Sequence, residues 1–425
     1  MRFFFPDSLD MVDPSFDFET ETRSPSRIRQ RDDIYAHEVF ARPPYDGLLV
    51  SKAIVDGTAV SNGRYTLAQR HRLLREGVRQ FFRLDARVEL SHIETMGDCG
   101  AFSYVKEDQP PYTVEDVLQF YETCGFDYGV SVDHVILGYD AMADGPLLVD
   151  EAISRDWARR QELTLELAYD FVRLHRSASC RFVPIGVAQG WSPASYKHAV
   201  ASLQKMGYSK IALGGMVPLK TQDIVACLER VEEARQAGTS LHLFGVTRTH
   251  SVSRFADYGV ESFDSTSPLR QAFKDEKDNY YTATRTYSAI RVPQVEGNPK
   301  LQGRIAAGEI NQDLALRLER ECLRSLIEYD RGGADLETVL TSLAAYSDLH
   351  GIGPQQLERE RSVLEDQPWK TCPCEVCKEI GIHVVLFRGA ERNRRRGFHN
   401  LHVFFFERLR QSINEPVLST DGASD

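Results

Sequence analysis

The stretch RFVPIGVAQGWSPASYKHAVASLQKMGYSKIALGGMV, residues 181–217, decides the fold. Its first ten residues, RFVPIGVAQG, are rich in apolar and β-branched side chains, as expected for a buried strand. SPASYKHAVASLQKMG has the length and pattern of a helix, and KIALGGMV is again typical of a strand. Because two strands joined by a crossover helix lie parallel, the stretch predicts a parallel sheet covered by helices.

The same alternation continues from about residue 45 to residue 270. The strand-like segments are 45–56, 128–137, 181–190, 210–217, 241–246 and 260–266. The helical segments are 113–125, 153–177, 192–207, 221–238 and 248–259, the first with Thr113 as its N-cap. The number of units favours an α/β fold in which the sheet closes into a (β/α)8 TIM barrel rather than an open sheet.

The net charge of −11 over 425 residues counts against a general nucleic-acid binder, which is usually basic. One segment, RGAERNRRR at residues 388–396, runs against this balance, and a solvated turn is the plain alternative for it. The chain contains no apolar run long enough for a spanning helix, and most of its eight cysteines are scattered singly. These features predict a cytoplasmic protein with reduced thiols.

Three cysteines lie within six residues, at Cys372, Cys374 and Cys377. His399 and His402 follow on a predicted helix, where the i, i+3 spacing puts them on one face. Three thiolates and one imidazole complete a tetrahedral zinc site with no vacancy for a substrate, which indicates a structural ion. Either histidine can supply the fourth ligand, whereas His383 lies in the apolar run IHVVLF and is less suited; three unrelated thiols are the alternative.

The sequence predicts five parts of the chain. Residues 281–365 lack strand alternation and contain helical patterns such as INQDLALRLERECLRSLIEYD. The parts are an N-terminal extension (1–40), the barrel core with the active site (41–280), a helical insertion (281–365), a zinc-binding subdomain with the final barrel helix (366–412) and a flexible tail (413–425).

Active sites of such barrels lie where strands end at the C-terminal face. The residues at these points are Asp98, Phe102, Asp133, Gln189, Gly214, Gly215, Phe244, Gly245 and Asp264. Singly, an aspartate there is a helix cap or turn residue and a glycine is a tight turn. Together they suit a flat polar heterocycle, stacked between aromatic rings and read along its edge by polar groups. Paired carboxylates also perform displacement at a sugar carbon.

The motifs DCGAFSY, VAQG, LGGMV, LFGV and GVESFDS, followed by CPCEVC and HNLH, resemble the tRNA-guanine transglycosylases, in the same order along the chain. The resemblance covers residues 45–270 and 370–407, and its CxCxxC element followed by HN is the specific part. It implies a (β/α)8 barrel with a zinc subdomain, and an enzyme that exchanges guanine for a 7-deazaguanine base.

The resemblance also implies roles for single residues. Asp264 matches the nucleophile that attacks ribose C1′, and Asp98 matches the general acid/base. The matches to base-contacting positions are Asp133 and Gln189 at the guanine edge, Gly214 and Gly215 at the backbone contact, Phe102 and Phe244 as the stacking pair, and Gly245 beside Phe244. The HN step points to His399 as the fourth zinc ligand.

Three departures favour the DNA-modifying branch, the DpdA-type enzymes, over the tRNA enzymes. DCGAFSY replaces DSGGFQ, SPLRQAF leads into a helical insertion, and no RNA-binding domain is expected after the zinc helix. The branch implies DNA as substrate, a preQ0-like base, and a separate ATPase partner for strand opening; a homodimer is also considered. Arginines expected to contact phosphates beside the barrel mouth are Arg270, Arg388, Arg392, Arg394, Arg395 and Arg396.

Three alternatives stay open at this stage. A tRNA-guanine transglycosylase would share every catalytic residue. A non-catalytic partner subunit would be free to lose its acids, whereas this chain has both Asp98 and Asp264. An unrelated barrel glycosidase could use paired carboxylates but would leave the cysteine and histidine cluster unexplained.

Overall fold

The structure, a computed structural model, describes residues 1–58, 62–141, 151–274, 277–351 and 353–414. The chain forms two compact units. The barrel unit comprises Met1–Leu9, Tyr45–Thr266 and Leu409–Asp425, and the second unit comprises Asp10–Pro44 and Ser267–Arg408. The predicted flexible tail, 413–425, lies outside the described residues from position 415 onward.

The barrel unit contains a closed barrel of eight parallel strands, which confirms the predicted fold class. The strands are β1 (Arg2–Pro6), β2 (Gly47–Ser51), β3 (Glu94–Asp98), β4 (Tyr128–Val130), β5 (Val183–Ala188), β6 (Lys210–Leu213), β7 (Ser240–Leu243) and β8 (Val260–Asp264). Each strand pairs with its neighbour in chain order, and β8 pairs with β1, where Asp264 lies opposite Phe4. Closure leaves the barrel without an open edge.

The expected N-terminal extension is wrong in its first residues, because RFFFP is the first barrel strand. Phe3, Phe4 and Phe5 are all buried, as expected for a parallel strand covered on both faces. Residues 1–40 also do not form one part, since the boundary between the two units falls after Leu9.

Helices cover the barrel strands. They are α2 (Lys52–Asp56), α3 (Leu67–Phe81), α4 (Val114–Cys124), α5 (Glu151–Ser177), α6 (Pro193–Met206), α7 (Thr221–Glu232), α8 (Val252–Asp257) and α17 (Arg410–Asn414). Thr113 caps α4 as predicted, since its side chain accepts a hydrogen bond from the backbone N–H of Asp116. Ser192 caps α6 in the same way. The strand predicted over 128–137 ends at Val130, so Asp133 lies in the loop that follows.

The interior of the barrel is a compact apolar cluster. Its members are Phe4, Leu49, Met96, Val130, Ile185, Val187 and Ala212, with Tyr128 and Phe244 packed against them. Such close packing fixes the strand ends, and the strand ends carry the polar residues of the candidate site.

The second unit is mainly helical. Its helices are α1 (Ala36–Val39), α9 (Ser267–Gln271), α10 (Pro299–Ala306), α11 (Gln312–Asp330), α12 (Leu336–His350), α13 (Pro354–Asp366), α14 (Pro368–Thr371), α15 (Glu375–Ile380) and α16 (Gly389–His402). Its short strands are β9 (Tyr280–Tyr281), β10 (Thr286–Tyr287), β11 (Ile290–Arg291) and β12 (Leu386–Phe387). The predicted insertion is therefore helical from Pro299 onward but begins with short strands, which the sequence pattern did not indicate. None of the helices in the described ranges is both long and apolar enough to cross a membrane.

Candidate active site and metal centre

Asp264, the last residue of β8, is buried, and two donors hold its carboxylate. Nε2 of His242 lies 3.2 Å from Oδ1 of Asp264, and the backbone N–H of Gly245 donates to the same oxygen at 3.1 Å. Gly245 has a φ of +72°, and a Cβ atom there would lie 2.5 Å from the side chain of Val217. Glycine therefore allows the tight turn that aims this N–H at the carboxylate.

Asp98, the last residue of β3, keeps part of its surface exposed. The hydroxyl of Ser51 donates to Oδ2 of Asp98 at 2.7 Å. Burial, together with the nearby carboxylates of Asp133 and Asp264, raises the pKa of Asp98 to about 7, although the hydrogen bond from Ser51 opposes the rise. A carboxyl group with such a pKa exchanges its proton near neutral pH.

Asp133 is fully enclosed in a hydrogen-bonded network. Nε2 of Gln189 donates to its Oδ2 at 2.6 Å, and the thiol of Cys99 donates to its Oδ1 at 3.1 Å. The hydroxyl of Tyr104 donates both to Cys99 Sγ and to the Asp133 carbonyl, each at 3.1 Å. Burial raises the pKa of Asp133 to about 6, although the hydrogen bonds from Cys99 and Gln189 oppose the rise. The network fixes the side chain in one orientation.

The glycine pair after β6 lies against this network. A Cβ atom on Gly214 would lie 2.1 Å from Nε2 of Gln189, and one on Gly215 would lie 2.3 Å from the carbonyl of Ile136. The hydroxyl of Tyr196 donates to the Gly214 carbonyl at 2.7 Å and holds the turn in place. Only glycine leaves room for this close approach of backbone to side chain.

The two predicted stacking residues differ in their surroundings. Phe102 lies in the short 3₁₀ helix Ala101–Tyr104 after β3, and 62% of its surface is exposed. Phe244 follows β7 and is partly buried, with its ring in an edge-on contact to His242 at a centroid distance of 4.9 Å. Phe244 is thus fixed by packing, whereas Phe102 is available to a ligand.

Four side chains of the second unit form the predicted metal cluster. Cys372, Cys374, Cys377 and His399 place one ligand atom each within 4.8 Å of one another. Nδ1 of His399 lies 3.6, 3.5 and 3.3 Å from the three sulfurs in chain order. Three sulfurs and one ring nitrogen facing a single point are the donor set of a closed tetrahedral metal site.

The surroundings of His399 support its role as a ligand. Its Nε2 lies 2.8 Å from the carbonyl of Tyr281, which requires the proton on Nε2 and leaves Nδ1 free to bind a metal. The ring of Tyr280 stacks on the imidazole at a centroid distance of 4.1 Å. His402 instead packs against Phe40, so the cluster uses His399 of the two histidines considered.

The arginine run is placed differently from the expectation. It lies on α16, with Arg388 just before the first residue of the helix, and the side chains of Arg388, Arg392, Arg395 and Arg396 are buried. They are therefore unavailable to phosphates, and assigning them to nucleic-acid contacts is wrong. Arg394 remains partly exposed and Arg270 is exposed, so those two remain candidates.

The buried guanidinium groups have partners within the second unit. Arg388 Nε lies 2.6 Å from Glu21, and Arg392 also pairs with Glu21. Arg395 NH1 lies 3.0 Å from Glu379. Arg396 donates to three backbone carbonyls, those of Val384, Leu386 and Ala272, at 3.2, 3.0 and 2.6 Å. These residues cross-link the unit internally.

Sequence reasoning missed four residues of the barrel site, namely Ser51, Cys99, Tyr104 and His242. Of these four residues, His242 was the easiest to predict from the sequence, because alternation along a strand puts it on the same face as Phe244. The other three contribute through contacts between elements, which the sequence alone does not show.

Two carboxylates thus lie at the ends of barrel strands, one accepting from two donors on a single oxygen and one with its pKa raised to about 7 by burial. Residues 73–421 match the family model described as "Queuine tRNA-ribosyltransferase". The chain is also 49% identical over 419 residues to a protein of Salmonella montevideo named "DNA-guanine transglycosylase", covering 97% of this chain and 98% of that protein. The chain belongs to the queuine tRNA-ribosyltransferase family and is a pentosyltransferase. The family resemblance seen in the sequence motifs is confirmed.

Proposed function

We propose that this enzyme replaces guanine in DNA with a 7-deazaguanine base, through a covalent intermediate on Asp264. The observation that carries the proposal is the contrast between two carboxyl groups of one barrel. The carboxylate of Asp264 is held by two donors on Oδ1, which leaves Oδ2 to react. The carboxyl group of Asp98 instead has a pKa of about 7 and can gain or lose a proton near neutral pH. Carboxyl groups with different environments are suited to different roles in one reaction.

In the proposed reaction Asp264 attacks C1′ of the deoxyribose and guanine departs. Asp98, in its protonated form, gives the proton that the departing guanine needs. Asp98 then takes a proton from the incoming base, which attacks C1′ and releases Asp264. Two displacements at one carbon retain its configuration. A pKa of about 7 lets Asp98 act in both directions near neutral pH.

The base would be held where Asp133, Gln189 and the Gly214 turn converge. Asp133 and Gln189 hydrogen bond to each other in the structure, so a bound base would replace that contact with contacts to its own edge. Gly214 and Gly215 would bring backbone groups close to the base, and Gly245 would leave the space beside Phe244. Phe102 is exposed and follows Asp98 closely in the sequence. It would stack on one face of the base, and Phe244 would stack on the other.

DNA is the proposed polymer because the Salmonella relative, which aligns over nearly the whole chain, is named for action on DNA. The target guanine must leave its stack to enter a barrel, at a cost of a few kcal/mol in a duplex. A separate ATPase partner would assist strand opening, and preQ0 is the proposed incoming base. Arg394 and Arg270 are the proposed phosphate contacts.

The Cys372, Cys374, Cys377 and His399 cluster is proposed to hold a structural zinc ion. The protein would fill all four coordination positions of the ion and leave none for a substrate. The ion would therefore stabilise the fold of the second unit and take no part in the chemistry. The hydrogen bond from His399 to the Tyr281 carbonyl fits this assignment, because it orients the ligating ring.

Exchange of radiolabelled guanine into oligonucleotides tests the proposal. One substrate carries its guanine in an unpaired bubble, which lowers the cost of extracting the base, and tRNA serves as the second substrate. We expect label in DNA with the wild type and none with Asp264→Asn. The melting temperature of the variant protein should equal that of the wild type. Turnover by Asp264→Asn would remove the nucleophile role.

An experiment in cells identifies the nucleic acid that is modified and the base that is inserted. Nucleosides from DNA and from tRNA are analysed by mass spectrometry after expression of the wild type and of Asp264→Asn. We expect a 7-deazaguanine deoxynucleoside that depends on Asp264. A modified nucleoside found in tRNA alone would assign the protein to the tRNA-acting function that the family description names.

A further inference from the structure

His242 is a buried polar residue inside the barrel, next to the proposed nucleophile. Its Nε2 lies 3.2 Å from Asp264 Oδ1, and its Nδ1 lies 2.9 Å from the hydroxyl of Ser262. The strand register explains this arrangement, since His242 pairs with Ser262 across β7 and β8. Asp264 lies two residues further along β8 and therefore on the same face as Ser262.

The proposed nucleophile acts as an ionised carboxylate, and this role assigns a direction to each hydrogen bond of His242. An ionised carboxylate only accepts, so Nε2 of His242 carries a proton and donates to Asp264. In the neutral ring Nδ1 then accepts from the Ser262 hydroxyl. The ring is held by edge-on contacts to Phe244 at 4.9 Å and to Phe4 at 6.0 Å. His242 is thus oriented on three sides and presents one N–H to one oxygen.

We propose that His242 is a positioning residue for both halves of the exchange reaction, an inference that rests on the proposed function. His242 and the Gly245 N–H both donate to Oδ1 of Asp264, and the described residues provide no hydrogen bond to Oδ2. Oδ2 is therefore the oxygen that attacks C1′. His242 prevents rotation of the carboxylate and keeps Oδ2 directed at the sugar.

The same contact favours release of the intermediate. In the first step an electron pair of Oδ2 forms the bond to C1′, and the C1′–N9 pair leaves with guanine. Asp264 becomes a neutral ester whose Oδ1 is a weaker acceptor. In the second step N9 of the incoming base, having lost its proton, bonds to C1′, and the C1′–Oδ2 pair returns to Asp264. Because hydrogen bonds to a charged acceptor are roughly twice as strong, His242 stabilises the departing carboxylate.

His242→Phe tests this role, because it keeps a ring of similar size between Phe4 and Phe244 but removes the N–H. The wild type and the variant are mixed with an end-labelled oligonucleotide that has an unpaired guanine. The covalent adduct is followed on denaturing gels, and its decay is measured after addition of excess guanine. We expect decay in the variant to be roughly 10- to 100-fold slower, less than the loss of a sole donor because Gly245 remains.

Two further variants separate positioning from general damage. His242→Gln retains an N–H and should restore part of the decay rate. Ser262→Ala leaves the imidazole in place but removes its Nδ1 partner, and should slow decay to a smaller extent. Decay at the wild-type rate in His242→Phe, or equal slowing in His242→Phe and His242→Gln, would overturn the inference. Failure of the wild type to form any adduct that depends on Asp264 would instead remove the proposed function.

Discussion

The barrel site and the arginine cluster of the second unit both bury charged groups, but in opposite ways. In the barrel, burial and then the neighbouring carboxylates of Asp133 and Asp264 raise the pKa of Asp98 to about 7. In the second unit, Glu21 pairs with Arg388 and Arg392; although burial raises its pKa, these cations lower it to about 2. The first arrangement keeps a proton exchangeable at neutral pH, and the second fixes a charge permanently.

The difference separates sites of chemistry from sites of cross-linking. A carboxyl group whose pKa is raised by burial does not stabilise the fold in its ionised form, but it is suited to act as an acid or base near neutral pH. A paired carboxylate is inert near neutral pH, and its partners hold distant parts of a unit together. The cluster of three cysteines and one histidine, for which we propose a structural ion, would belong with the second kind, because four protein ligands leave no open position for a substrate.

The largest effect is expected from breaking the metal cluster. Cys374→Ser removes one of four ligands, and structural zinc sites contribute on the order of 10 kcal/mol in small domains. We expect loss of bound zinc by atomic emission and rapid proteolysis within residues 267–408. Cys322→Ala, also buried in the second unit, is the control and should keep its zinc. Full zinc content in Cys374→Ser would contradict the site.

A smaller loss is expected from the arginine cluster. Arg392→Met leaves Glu21 with one fewer guanidinium partner, and removal of one member of a buried pair costs about 3–5 kcal/mol. Arg394→Met on the same helix changes a partly exposed side chain and should cost less than about 0.5 kcal/mol. Denaturant unfolding measures both. Equal stability of the two variants would contradict the structural role of Arg392, and weaker DNA binding is expected of Arg394→Met alone.

The arginine run shows why sequence alone misplaced these residues. Five arginines in nine positions suggest a surface that binds phosphates, because local charge density is all that a sequence displays. Two of them, Arg388 and Arg392, pair inside the fold with Glu21, which is 367 positions away from Arg388. A partner at that separation is set by the tertiary fold, so the charge pattern could not reveal it.

The barrel itself was more predictable. Alternation of strands and helices depends on local patterns, and it gave the closed barrel and the strand ends that carry Asp98 and Asp264. The strand RFFFP was missed because a five-residue segment at a terminus has no preceding helix to mark it as part of a repeat. His242 was missed because its contact to Asp264 depends on the register of β7 and β8, which shifts between Leu241 and His242.

The last prediction concerns the pH dependence of stability, which should have opposite signs in the two regions. The folded pKa of Asp98 lies above its unfolded value of 3.8, so Asp98 destabilises the fold increasingly as pH rises from about 4 to about 7. The folded pKa of Glu21 lies below its unfolded value of 4.5, so its contribution is present above about pH 4.5 and is lost as pH falls toward 2.

Asp98→Asn and Glu21→Gln make this contrast measurable. At pH 8 we expect Asp98→Asn to be more stable than the wild type by on the order of 4 kcal/mol, at about 1.4 kcal/mol per unit of pKa, although it should not exchange guanine. Glu21→Gln should be less stable at pH 8 by on the order of 3 kcal/mol and should keep its exchange chemistry. Both differences should shrink in acid, that of Asp98→Asn by pH 4 and that of Glu21→Gln toward pH 2. Urea unfolding at pH 8, 6 and 4, continued toward pH 2 for Glu21→Gln, tests this, and a destabilised Asp98→Asn would show that the barrel, like the second unit, uses this carboxylate for stability.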